Sequence, residues 1–437
     1  MQTHKQKVDR ISNQLKNRKS TEHLSLYKKA VSHEVPKPND KRYTDEKIDV
    51  SDLNEILHID AKKKICIAEP GVTFVDLVKA TIKHGLVPLT VPEFKTITIG
   101  GAVAGCSIES MSFMHGGFHD NCVEYEIITA KGEVLTCSPK KNNLLFQMVH
   151  GTFGTLGIIS KLKFRLTPAK PIVKVTYEKY RTLEEYKKAI WRRFKNKDCD
   201  FMDGIIHSPT KYVLSIGKFV DKAPYTHSYD WMRVYYKSTK RRKEDYIKTP
   251  DYFFRYNKGV TNVIPKSFIG RLLFGKFISS NEVLKIFEKI RRFVPASRIP
   301  VTLDVFIPFS KATEFMDWYR REVNFFPIWC VPYRRGHDYE WISKEVLKKS
   351  SDKLYLDLAI YGLEKNRDKD YYKIIEDKLM EIGGLKTLIS TNYYTEKEFW
   401  KTWNKKNYDK IKKRTDPNNI FRNLYTKMCK ASRGIGK

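Results

Sequence analysis

The stretch TIGGAVAGCSIESMSFMHGG, residues 98–117, sets five glycines among small residues, with one glutamate, Glu109, and one histidine, His115. Glycine lets a backbone amide approach an anion with no Cβ in the way, and successive amides in a turn form an anion-binding nest. A second stretch, GTFGTLG at 151–157, adds Gly151, Gly154 and Gly157. Two readings share this composition: a cradle for a phosphate or cofactor, and a glycine-rich crossover that only packs tightly. Neither stretch matches a named phosphate loop.

Working outward, IDVSDLNEILHIDAKKKICIAEPG (48–71) reads as strand, polar turn and a second strand with Ile65 and Ile67 on one face. TFVDLVKATIKHG follows with Phe74, Leu77, Val78, Thr81 and Ile82 on one helical stripe, stopped by Gly85. Beyond the quoted stretch, CVEYEIITAKGEVLTC (122–137) predicts a hairpin around Lys131-Gly132, and NNLLFQMV a short helix. GIISKLKFRLTP alternates Ile158, Leu162, Phe164 and Leu166 against Lys161, Lys163 and Arg165, a half-buried strand ending at Pro168. Residues 1–20 read as a polar helix and HLSLYKKAVSHEVP (23–36) as a turn-rich loop. The proline-containing TPAKPIV (167–173) predicts a domain boundary, after which strand patterns such as KVTYEKY and KLYLDLAIYG alternate with helices such as DKDYYKIIEDKLMEIGG.

The 437 residues allow two domains, each with its own core. No apolar run is long enough to span a bilayer, and the first twenty residues lack a signal-peptide core, so the expectation is a cytosolic protein. Seven cysteines (66, 106, 122, 137, 199, 330, 429), none in a C-x-x-C pair, read as reduced thiols, and no His/Asp/Glu spacing suggests a metal. A formal charge of +32 has two readings, solvated lysine-rich faces or peripheral contact with an anionic membrane. The densest basic runs, KSTKRRKE from Lys237 and KKNYDKIKKR from Lys405, lack the aromatics and fold signatures of nucleic-acid readers, so no specific nucleic acid is expected. There is no G-x-G-x-x-G after a strand, no H-E-x-x-H and no G-x-S-x-G, and GRLLFGKF from Gly270 puts Phe277 where a P-loop needs Ser or Thr.

The segments 48–77, 91–135 and 144–170 together resemble the FAD-binding domain of the vanillyl-alcohol oxidase (PCMH-type) superfamily. GCSIESMSFMHGGF, FFPIWCVPY, LYLDLAIYG, YYTEKEFWKTWNKKNYDKIK and YTKMCKA extend the likeness, in order, to the Diminuto-like delta(24)-sterol reductases. The resemblance implies an α+β fold: a two-lobed FAD-binding domain at 1–170 (lobes about 1–90 and 91–170), a substrate or cap domain at 171–400 with an antiparallel sheet and flanking helices, and a helical segment at 401–437 packing back on the flavin domain. It places Thr98, Ile99, Gly100, Gly101 and Gly105 around the FAD pyrophosphate, with Cys106, Glu109, Ser110, His115 and Gly116 toward the flavin. Asp120, Cys122, Val123, Gly154, Gly157 and Ile158 flank the ribityl and adenosine portions, and Ser32, His33 and Pro92 complete the cofactor set. KKAVSHEVP stands where the superfamily carries R-G-G-G-H-S, which implies noncovalent FAD. The amino-terminal membrane span of the animal sterol reductases has no counterpart in these residues.

The activity so implied is reduction of a carbon–carbon double bond in a sterol-like or other lipid, with NAD(P)H as electron source. An isolated alkene must be protonated as hydride arrives, so a general acid is required. Glu109, among Cys106, Ile108, Met111 and Phe113, is the first candidate and Tyr393 the second; Arg255, Tyr256, Trp329, Tyr361, Asn392 and Tyr394 are candidates for the substrate wall. Each has an ordinary structural reading beside it: a paired carboxylate for Glu109, a salt bridge for Arg255, core packing for the aromatics. Two other functions stay open, an FAD oxidase or dehydrogenase of an alcohol, sugar or isoprenoid-linked sugar, and a non-catalytic basic scaffold.

Overall fold

A computed structural model describes residues 2–30, 33–34, 37–229, 233–257, 259 and 299–436; Ser32 and the GRLLFGKF stretch lie outside the described residues. The fold is α+β, built on two antiparallel sheets with flanking helices.

The first sheet runs Ile56–Asp60, Ile65–Ala68, Ile158–Pro168, Cys122–Ile128, Val134–Cys137, with Leu86–Pro88 paired to the far end of Ile158–Pro168. That long strand alternates as its sequence dictates, burying Ile158, Leu162, Phe164 and Leu166. The hairpin turns at Gly132, whose φ of +74° suits glycine; Phe74–Thr81 buries Phe74, Leu77, Val78 and Thr81, while Ile82, the last residue of the predicted stripe, is half-buried in a tighter turn, Ile82–His84, that Gly85 closes left-handed. On Ile65–Ala68 the fully buried residues are Cys66 and Ala68, with Ile65 and Ile67 on the half-exposed face. The helix His4–Lys16 is amphipathic rather than merely polar: Val8, Ile11 and Leu15 pack on Ile128, Ala130 and Ile158. Its buried Lys7 reaches Glu69 at 3.0 Å and Glu55 at 2.8 Å. The predicted loop at 23–36 contains a strand, Leu24–Tyr27, because Glu46–Asp49 pairs with it in parallel.

The chain passes between sheets over residues 168–172. The second sheet runs Glu244–Lys248, Ile172–Tyr180, Lys211–Val220, Phe201–Ser208, Ile328–Arg334, Leu354–Leu363, Val301–Pro308, Leu385–Lys386. Alternation divides its two faces. Leu303, Val305 and Ile307, with Leu354, Leu356, Leu358 and Ile360, pack under the helices Leu183–Asn196, Ala312–Glu322 and Tyr371–Ile382. The opposite face, with Trp329, Val331 and Ala359, joins the core that holds Val103 and Met111 of the first unit. Past residue 400 the chain returns to the first unit: Lys412 Nζ donates to the Thr155 carbonyl at 2.9 Å and pairs with Asp416, and Lys427 Nζ donates to the Phe153 carbonyl at 2.6 Å.

Candidate functional site

Between the glycine-rich segments and the inner face of the second sheet lies a cleft of about 1830 Å³. Ligand pockets usually run about 300–1,000 Å³, so this one has room for a dinucleotide and a second molecule. Its floor is the short helix Ile99–Ala104 and the loop at 153–157; Gly100, Gly101, Gly105, Gly154 and Gly157 all line it.

The glycines do different things. A Cβ on Gly100 would lie 2.5 Å from Pro70 Cβ, so this glycine is a packing requirement, and its amide is already bonded to the Pro70 carbonyl at 2.9 Å. The Ile99 amide is likewise engaged by the Val72 carbonyl. Gly101, whose amide is capped by Thr98 Oγ1 at 3.2 Å, and Gly105 leave open floor. At Gly154 (φ +72°) a Cβ would find no atom nearer than 3.9 Å. Basic side chains gather at this end: Lys28, Lys29, Arg42 and Lys427 line the cleft. Burial pushes the Lys427 ammonium down to about 8, an amine that gains from an anion beside it. His33 lines the same end, bonded to Thr96 Oγ1 at 3.0 Å and stacked on Phe94; burial lowers its pKa to about 4, so the ring is neutral.

The opposite end is the inner face of the second sheet. Thr302, Asp304 and Phe306, then Tyr361 and Asp357, then Trp329 and Val331 line it from three adjacent strands. Glu93 enters from the first unit.

Of the residues singled out from the sequence, the cleft collects His33, Thr98, Gly100, Gly101, Gly105, Cys106, Gly154, Gly157, Ile158, Trp329 and Tyr361. Glu109 is beneath the lining, fully buried with Arg255. Arg255 Nη2 sits 2.9 Å from Glu109 Oε1 and 3.1 Å from Asp203 Oδ1, at ion-pair rather than hydrogen-bond geometry. Its guanidinium stacks on Tyr252 and Tyr256, and Asp203 Oδ2 accepts from Tyr256 (2.8 Å) and Trp329 Nε1 (2.9 Å). Ser110 donates its amide and hydroxyl to Glu109 Oε2. Burial raises the Glu109 carboxyl, opposed by Arg255 and reinforced by Asp203.

The remaining candidates sit farther back. Ile99 and Pro92 are buried behind the floor. His115 closes the helix Ser112–His115 and Gly116 follows at φ +74°; Asp120 accepts from the Gly117 amide and Tyr339, with Cys122 and Val123 starting the next strand. Tyr393 stacks on Tyr372 under the Arg433 guanidinium, Tyr394 packs edge-on to Trp403, and Asn392 ties the carbonyls of Leu388, Ser390 and Met428. None of these three lines the cleft.

Sequence reading missed Glu93, Asp203, Asp304, Asp357 and Lys427. A signal existed for two of them: VTLDVFIP and LYLDLAIYG each place one aspartate inside an otherwise apolar strand, on the face opposite the leucines.

Residues 37–138 match the family described as FAD binding domain. Along the chain, 404 residues are 26% identical to the Delta(24)-sterol reductase of Homo sapiens, covering 87% of this chain and 77% of that protein. A Delta(24)-sterol reductase homolog of Caenorhabditis elegans is 25% identical over 433 residues, 89% of this chain and 79% of that one. Cytokinin dehydrogenase 5 of Arabidopsis thaliana is 31% identical over 139 residues, 31% of this chain and 26% of that one. The glycine-floored cleft thus lies against an FAD-binding domain, and the chain is an FAD-dependent oxidoreductase similar over most of its length to the Delta(24)-sterol reductases.

Proposed function

We propose that the chain reduces a carbon–carbon double bond in a lipid-like substrate such as a sterol, with NAD(P)H as the source of electrons. The observation that carries this reading is the reach of the likeness. It takes in the second sheet, which supplies the cleft's far wall, whereas the cytokinin dehydrogenase likeness spans a third of the chain.

FAD, when bound, supplies hydride transfer. The residues fit it: Gly101, Gly105 and Gly154 leave floor that a Cβ would crowd, Thr98 and Ile158 flank that floor, and Lys427 with Lys28 and Lys29 offsets the pyrophosphate charge. His33, held neutral by burial, would line the cofactor's site without a covalent bond to it. Trp329, Val331, Phe306 and Tyr361 give the substrate an apolar wall and keep water from the reacting carbon. Arg255 and Asp203 lock the Trp329 indole through its N–H, so the wall is fixed before substrate arrives. The net charge of +32 favours collecting a lipid at an anionic bilayer surface.

The test is an anaerobic one. The protein-bound flavin is reduced with NADPH, then mixed separately with a sterol bearing a side-chain double bond, with oxygen, and, in the oxidised form, with primary alcohols. Reoxidation by the alkene supports the reading; rapid flavin reduction by an alcohol with no reaction of the alkene refutes it.

A further inference from the structure

We propose that Asp357, together with Asp304 and Glu93, forms a proton-holding site on the sheet wall of the cleft, and that the proton delivered to the substrate carbon leaves from this site rather than from Glu109. The proposal rests on the double-bond reductase reading.

Sheet register brings the first two together. Asp357 stands opposite Phe306 on one neighbour and opposite Val331 on the other, and Asp304 stands opposite Ala359. The two aspartates are therefore diagonal neighbours on the cleft face, close enough for the charge of Asp304 to act on Asp357. Glu93 approaches from the first unit and lines the same cleft. Asp304 has partners: Tyr361 O–H donates to its Oδ1 at 2.6 Å, and Thr387 faces Oδ2. Asp357 is different. It is 4% exposed, lines the cleft, and its Oδ1 has no hydrogen-bond partner among the described residues.

A buried acceptor with nothing to accept is costly, and a buried carboxylate costlier still. Cations do not relieve it. Lys386, on the edge strand beyond that of Asp304, pairs with Glu376 on the helix side of the sheet, and Arg255 is engaged by Glu109 and Asp203. The other titratable groups beside Asp357 on this face are the tyrosines Tyr333, Tyr355 and Tyr361. Three carboxyls with no ion-pair partner among the described residues share protons instead. Burial holds all three high, Glu93 to about 8, Asp304 to about 6 against the hydrogen bonds of Tyr361 and Thr387, and Asp357 well above the aspartate range; repulsion from Asp304 adds to the rise at Glu93, and from Asp304 and Glu93 at Asp357.

Glu109 is less suited, since it lies under the lining with Arg255 against it. In the step, the alkene takes hydride from a reduced flavin at one carbon and the proton from Asp357 at the other. The π bond, the reduced flavin's N–H bond and the carboxyl O–H bond would break, two C–H bonds would form, the flavin would be left oxidised by two electrons, and the carboxylate would recover its proton from solvent through Glu93, the half-exposed member.

Infrared difference spectroscopy of the holoenzyme reads the protonated carboxyl directly, whether or not turnover occurs. The expected result is a protonated-carboxyl band at pH 7 that is lost in Asp357→Asn and kept in Glu109→Gln. Alkene reduction should fall at least 100-fold in Asp357→Asn, while NADPH reduces the flavin at the wild-type rate. Asp304→Asn removes a like charge, so the band and the alkaline limb of the pH–rate profile should both move to lower pH. A band lost in Glu109→Gln but present in Asp357→Asn overturns the proposal, as does wild-type alkene reduction by Asp357→Asn. A wild-type enzyme that keeps the titrating Asp357 band yet reduces no alkene refutes the reductase reading and leaves the proton-holding site in place.

Discussion

Replacing Arg255 with methionine keeps much of the stacking volume against Tyr252 and Tyr256 but strips the cation from two buried carboxyls, Glu109 and Asp203. Breaking a buried ion pair by removing one partner costs about 3–5 kcal/mol. The structure also sets a ceiling on that cost, because a stranded carboxyl can take up a proton. For a group with an ordinary glutamate pKa this costs about 4 kcal/mol at pH 7 and about 1 kcal/mol at pH 5. Glu109, already raised by burial and held back by Arg255, rises further in the variant, so folded Arg255→Met binds more protons than its unfolded chain. Its stability then falls as pH rises above the ordinary carboxyl range and recovers on acidification. Urea unfolding followed by tryptophan fluorescence checks this, with Trp329 reporting from inside the network through its bond to Asp203. The expected deficit against wild type is about 4 kcal/mol at pH 7 and about 1 at pH 5. A deficit that is the same at both pH values, or below about 1 kcal/mol at pH 7, would refute the argument that these carboxyls depend on Arg255.

Three further outcomes are expected. Gly100→Ala should lose about 1–3 kcal/mol through overpacking against Pro70, whereas Gly101→Ala, whose new methyl meets only Thr98 Oγ1 at 3.2 Å, should melt near wild type yet purify with less bound flavin. Glu93, raised from 4.5 to about 8, makes the folded state bind the extra proton, so wild-type stability declines from about pH 4.5 to pH 8; Glu93→Gln should flatten that decline in denaturant titrations. A thiol reagent should label the native protein slowly and at Cys106 alone, be slowed further by added FAD, and reach all seven cysteines after denaturation, since the other six are buried.

Much of the architecture is legible along the chain because it is local. The alternation at 158–166, the stripe at 74–81 and the Gly132 turn follow from periodicity and backbone sterics alone. Leu24–Tyr27 was hidden because a segment of four residues becomes a strand only when a partner, Glu46–Asp49, arrives beside it. The site divides the same way. Glycine clustering marks the floor, but not that Gly100 is there for Pro70 while Gly101 and Gly105 face the cleft. Glu109 stands out as a lone carboxyl, and its counter-ion lies on a distant segment that only the fold brings within 2.9 Å. Asp304 and Asp357 become neighbours through strand register, a relation no single segment displays.

The return of the carboxyl-terminal segment has a consequence for biosynthesis. Lys412 and Lys427 grip the carbonyls of Thr155 and Phe153, the loop that forms part of the cleft floor. A nascent chain that has already made both sheets still lacks these two props and the ammonium at the basic end of the cleft. The floor is thus completed only by lysines 257 and 274 positions later in the chain than the carbonyls they grip.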